Sequence, residues 1–116
     1  MEVHPGVFVS STTTDEWEPD PEVGGESHIL VQQSDAYGGM TRYDVAPEPT
    51  PWTLPERETF LILEGGARIE IAGGPTLELT VGDMASLAKG TATTWHITAP
   101  FKEIWFFGRA YDAGAE

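Results

Sequence analysis

The chain contains no cysteine, which excludes a disulfide framework, thiolate catalysis and the sulfur ligands of structural zinc sites. Basic residues are scarce as well: six Lys and Arg stand against nineteen Asp and Glu, for a formal charge of −13. Such a surface repels phosphate backbones and anionic lipid, so nucleic acid and membranes are not expected partners. No apolar run approaches the roughly 20 residues that span a bilayer. The opening MEVHPGVF has neither a basic segment nor a long apolar one, and a cytoplasmic protein is the expectation. Helical periodicity is also missing, because 13 glycines and 9 prolines interrupt the chain at short intervals.

What is present fits one small β domain. At 116 residues and 40% hydrophobic content the chain is long enough for a single core and too apolar for global disorder. Candidate strands lie at residues 6–10, 28–33, 39–45, 59–63, 67–72, 76–81, 84–87, 92–98 and 102–107, with turn residues between them. The clearest hairpin places Ile69 and Ile71 in alternation with Arg68 and Glu70, turns at Gly73-Gly74-Pro75, and returns with Leu77 and Leu79 alternating with Glu78 and Thr80. Phe60-Leu61-Ile62-Leu63 is apolar on both faces, as expected of a strand between a core and a second apolar layer such as a dimer partner. The proline-rich stretch 45–51 cannot be a central strand and reads as a rigid loop into Trp52. Residues 1–27, with five acidic residues between Asp15 and Glu22, read as an arm with one short strand, and residues 28–116 as the barrel.

Glu58 is followed by six residues and Gly65, and Gly82 by five residues, Ala88, one more residue and Gly90, with sixteen residues between Gly65 and Gly82. This pattern resembles the two motifs of the cupin superfamily, with Ala88 where the second motif has proline. The continuation, Gly90 then Trp95 and the strand from Phe101 through Lys102 to Trp105, is similar to the ureidoglycine aminohydrolase and ethanolamine-utilization branch. The resemblance implies an all-β, single-domain, RmlC-like antiparallel jelly-roll barrel enclosing a small molecule. Gly65, Gly82 and Gly90 are then expected where strands reverse, since a positive φ is cheap only for glycine.

Metal-binding relatives hold their ion with a His-x-His pair before the motif-one glutamate and a histidine after the motif-two glycine. Here the matching positions hold Trp52 and Leu54, or Pro51 and Thr53, and Thr93; only Glu58 remains. A metal-free site without a cofactor is the expectation, and a metal-dependent aminohydrolase or dioxygenase is the alternative that the resemblance carries. His96 falls on the opposite strand face from Thr93 and Trp95, and His4 and His28 have no ligand spacing.

Glu58 has two readings. In an apolar barrel its pKa would rise and it could serve as a general acid or base; alternatively it pairs with an inward Arg42, which would also make acidic ligands natural guests. Tyr43, Trp52, Phe60, Thr93, Trp95 and Trp105 are the remaining candidate ligand contacts, with ordinary core packing as the competing account of each. Trp17 is expected to anchor the arm. An isomerase, lyase or hydrolase using Glu58 and a non-catalytic binding module both remain open, in each case as a homodimer.

Overall fold

A computed structural model describes residues 1–22 and 24–108; the last eight residues of the expected barrel, 109–116, lie outside it. Among the described residues there is no helix, and ten strands account for the architecture: β1 (Glu2–His4), β2 (Val7–Phe8), β3 (Glu18–Pro19), β4 (Glu26–Gln32), β5 (Tyr37–Tyr43), β6 (Thr50–Thr53), β7 (Arg57–Ile71), β8 (Thr76–Thr80), β9 (Met84–Leu87) and β10 (Ala92–Gly108). Among the described residues no helix is long and apolar enough to cross a membrane. β1 and β2 form a separate hairpin, and the other eight belong to one antiparallel sheet in the order β3-β4-β5-β10-β7-β8, with β6 on β10 and β9 on β7. The all-β fold expected from the short strands and implied by the resemblance is the fold observed.

Two strands are far longer than expected. β7 joins the segments read as 59–63 and 67–72, and β10 joins 92–98 and 102–107. Each turns a corner instead of ending. In β7 the corner is Gly65, at a φ of 72°; opposite it, the β10 register shifts between Thr98 and Lys102. The first half of β7 therefore pairs with β9 and the second half with β8, while β10 runs along both. Gly65 bends a continuous strand, whereas Gly82 and Gly90, at φ of 92° and 85°, do sit where strands reverse.

Alternation along these strands builds the core. Phe60, Ile62, Ala67 and Ile69 of β7 face inward with Phe101 and Trp105 of β10, Leu54 and Leu87. Each large apolar side chain buried this way stabilises the fold by about 1.5–3 kcal/mol. Leu61 and Leu63, on the other face of β7, are only half-buried.

The N-terminal segment holds three short strands instead of one, and β3 pairs with β4 at Glu18 and Ser27. Side chains tie this segment to the sheet. The His28 ring meets Ser10 Oγ at 2.7 Å and the Glu16 carbonyl at 2.8 Å, and Lys102 donates to the Thr12 carbonyl at 3.0 Å. Trp17 does anchor it, lying under the Arg42 guanidinium at 4.3 Å from the ring centre. Residues 44–49 form the expected loop, and then β6 adds an edge pairing with β10 from Thr50 to Thr53. Pro51 is tolerated there because an edge strand needs ladder donors on one side only.

Candidate functional site

Inward-facing residues of β5, β6, β7 and β10 enclose a cavity of about 360 Å³. Its walls are Tyr37, Thr41 and Tyr43 from β5, Trp52 from β6, Glu58 from β7, and Trp95, Ile97, Phe101, Glu103, Trp105 and Phe107 from β10. Exposed Glu22, Gln33 and Glu56 and half-buried Asp20 and Pro47 form its rim. The two-residue period explains this set: 37, 41 and 43 share one face of β5, and odd-numbered residues from 93 to 107 share one face of β10.

The structure brings Glu58, Tyr43, Trp52, Trp95 and Trp105 together around the cavity. It places three other candidates elsewhere. Phe60 is 2% exposed and lies in the core, its ring 5.2 Å from that of Trp95. Thr93 is buried as a brace: its hydroxyl donates to the Trp52 carbonyl at 2.6 Å and accepts from the Trp95 indole at 3.0 Å. Arg42 does not reach Glu58. Being adjacent to the inward Tyr43, it points to the opposite face, where it bonds Glu26 at 2.9 Å. The anion anchor considered for the barrel is therefore absent from the cavity wall, and no basic side chain lines the cavity among the described residues.

The residue that sequence reading missed is Glu103. It is buried, lines the cavity, and its Oε2 has no hydrogen-bond partner. The signal was available, since Phe101, Glu103, Trp105 and Phe107 alternate with Lys102, Ile104 and Phe106, but a glutamate beside a lysine suggests a solvated face. Burial pushes Glu58 up to about 7, a bond from the Trp52 indole holding it down in part. Burial raises Glu103 well above the usual carboxylate range, and the neighbouring Glu58 charge raises it further. Two like charges in one apolar cavity resist joint ionisation, so the pair retains a proton near neutral pH. Burial also lifts Tyr43, to about 12, with Glu103 and Asp20 adding to the shift. Its phenol therefore stays protonated at neutral pH.

The donor set does not fit the three-imidazole metal site. No histidine lines the cavity. Both His28 ring nitrogens are engaged in fastening the arm, His96 pairs with Glu70, and His4 lies in exposed β1. The Thr93 hydroxyl, at the expected ligand position, is committed to its two bonds. Among the described residues no three His, Asp or Glu side chains are grouped to hold an ion.

Thr93→Val tests the brace. It leaves a carbonyl and an indole N–H without their partners, so a loss on the order of 2 kcal/mol is expected, together with a changed tryptophan emission spectrum. Urea unfolding within about 0.5 kcal/mol of wild type and an unaltered spectrum would contradict the role given to the hydroxyl.

The likeness to solved structures is broad in extent and low in identity. An RmlC-like cupin from Shewanella frigidimarina NCIMB 400 superposes with a TM-score of 0.70 at 17% identity, over 89% of this chain and 91% of that one. KdgF from a Halomonas species gives 0.66 at 19%, over 89% and 93%. A candidate ethanolamine utilization protein Q from Salmonella typhimurium LT2 gives 0.65 at 22%, over 80% and 76%. At such identities these likenesses establish the fold. No curated protein sequence matches the chain significantly. The profile of the EutQ-like cupin domain matches residues 43–111, a span that begins at Tyr43 on the cavity wall and includes Glu58, Trp95, Glu103 and Trp105. The chain belongs to the EutQ-like cupin domain family.

Proposed function

We propose that this cupin binds a small organic molecule in its cavity and moves a proton on it without a metal ion, in an isomerase, lyase or hydrolase step, with Glu58 as the acid–base residue. The observation that carries this reading is the pair of buried carboxylates, Glu58 and Glu103, in one aromatic-walled cavity. A general base works best when its pKa lies near the working pH, and Glu58 at about 7 meets that condition. In its ionised form Glu58 accepts a proton from the bound molecule, or in hydrolysis from the attacking water, and once protonated returns it to a different atom of the substrate or to the leaving group. Glu103, raised further by burial and by the Glu58 charge, holds the second proton. Trp52, Trp95 and Trp105 orient an apolar or planar body against the carboxylates.

The test is the isosteric variant. Small-molecule extracts in deuterated water, followed by NMR, report both deuterium incorporation and consumption of any component. Wild type is expected to label or convert one component, and Glu58→Gln to slow that by about 10²–10⁴-fold while still binding it. Binding without labelling or conversion by the wild type would replace this reading with that of a non-catalytic binding module.

A further inference from the structure

We infer that the cavity selects organic cations, specifically primary or secondary ammonium groups carried on a compact apolar body. This inference rests on the binding reading above and names the class of molecule bound. Three independent features of the wall converge on it. First, Glu103 lines the cavity with a buried Oε2 that has no hydrogen-bond partner; a buried acceptor without a donor is costly, and a ligand N–H removes that cost. Second, Glu58 lies in the same cavity while no described basic side chain does, so among the described residues nothing in the wall balances its charge and a cationic guest would. Lys102, next to Glu103 in sequence, faces away and pairs with Glu64 at 3.4 Å. Third, the indoles of Trp52, Trp95 and Trp105 face the same space, and aromatic faces attract ammonium groups and do not attract carboxylates.

The rim agrees with the interior. Asp20 and Glu22 stand at the mouth and favour entry of a cation over an anion. Glu56, also on the rim, is engaged by Lys89 at 3.8 Å, so among the described residues the rim's negative charge without an ion pair lies on the side of Asp20 and Glu22. A methylammonium head between the carboxylates would also complete the pair's ionisation, because a cation stabilises both anionic forms at once.

The experiment compares three probes of one skeleton, 3-methylbutylamine, 3-methylbutan-1-ol and 3-methylbutanoate, by tryptophan fluorescence and calorimetry at near-neutral pH and physiological salt. The amine is expected to bind at least tenfold more tightly than the alcohol, and the carboxylate more weakly than either. The double variant Glu58→Gln, Glu103→Gln, which keeps shape and removes both carboxyl groups, is expected to abolish the amine's advantage and leave the alcohol's affinity unchanged. That variant alters two of nineteen acidic side chains, so attraction by the overall negative charge would survive in it. Equal affinities for amine and alcohol would overturn cation selection and leave small-molecule binding intact. No response to any of the three probes up to their solubility would overturn both. An amine preference unchanged in this double variant would also overturn the inference, by placing the selectivity outside the cavity.

Discussion

Replacing Gly65 with alanine is expected to destabilise the protein by at least about 3 kcal/mol, a large share of the 5–15 kcal/mol that holds a domain folded. Two costs add at this residue. The backbone sits at a φ of +72°, where a Cβ costs roughly 1–2 kcal/mol. That Cβ would also lie 2.3 Å from the Thr98 carbonyl oxygen and 2.4 Å from the Pro100 carbonyl oxygen, both backbone atoms of the facing corner in β10, so relief requires moving that strand. Gly82→Ala supplies the comparison. Its φ is +92° with nothing within 4 Å of the added atom, so only the conformational cost applies, on the order of 1–2 kcal/mol. Chemical denaturation of the two variants should differ by more than about 1 kcal/mol; equal losses would show that the close approach at the corner is not tight.

Stability is expected to fall as pH rises through neutrality, the reverse of the usual behaviour of surface carboxylates. In the unfolded chain Glu58 titrates near its ordinary 4.5, and in the fold near 7. Between these values the folded state binds more protons than the unfolded one, so stability decreases with rising pH across that window. The contribution is fully present below 4.5 and lost above 7, on the order of 3 kcal/mol from Glu58 alone. Glu103 shifts in the same direction and extends the decline to higher pH. The double variant Glu58→Gln, Glu103→Gln removes both titrations and should be more stable than wild type at pH 8, with the difference shrinking toward pH 4.5. A difference between the two proteins that does not change with pH would mean that these carboxylates are not desolvated in the fold.

Much of the fold was legible because glycine positions and two-residue alternation are local signals. The positions of β8, β9 and the hairpin β7–β8 follow directly from Leu77, Leu79 and the Gly73-Gly74-Pro75 turn. The two long strands were not legible as such, since Gly65 and Pro100 read locally as strand ends. They mark corners only because a neighbouring strand bends at the same level, which is non-local information. Arg42 was resolvable in part: it is adjacent to Tyr43, and neighbouring residues of a strand cannot both face the same cavity, but which of the two points inward is set by the sheet. Glu103 failed for the opposite reason. Its charge argued for solvent while its alternation with Phe101, Trp105 and Phe107 argued for the interior, and the second signal was the one to follow. Thr93 carries no local sign that its hydroxyl would bridge a carbonyl of β6 and an indole two residues along.

The length of β10 has a consequence for how the protein comes into being. This one strand supplies Thr93, Trp95, Glu103 and Trp105, and its partners lie far back in the chain, as in the pairing of Phe107 with Tyr37. Contacts closed over such separations form late and slowly. A nascent chain paused before residue 92 has two exposed sheet edges, on β5 and β7, that nothing yet bridges. During synthesis the sheet thus stays open to pairing with other chains until residues 92–108 leave the ribosome, and the cavity cannot exist before they do.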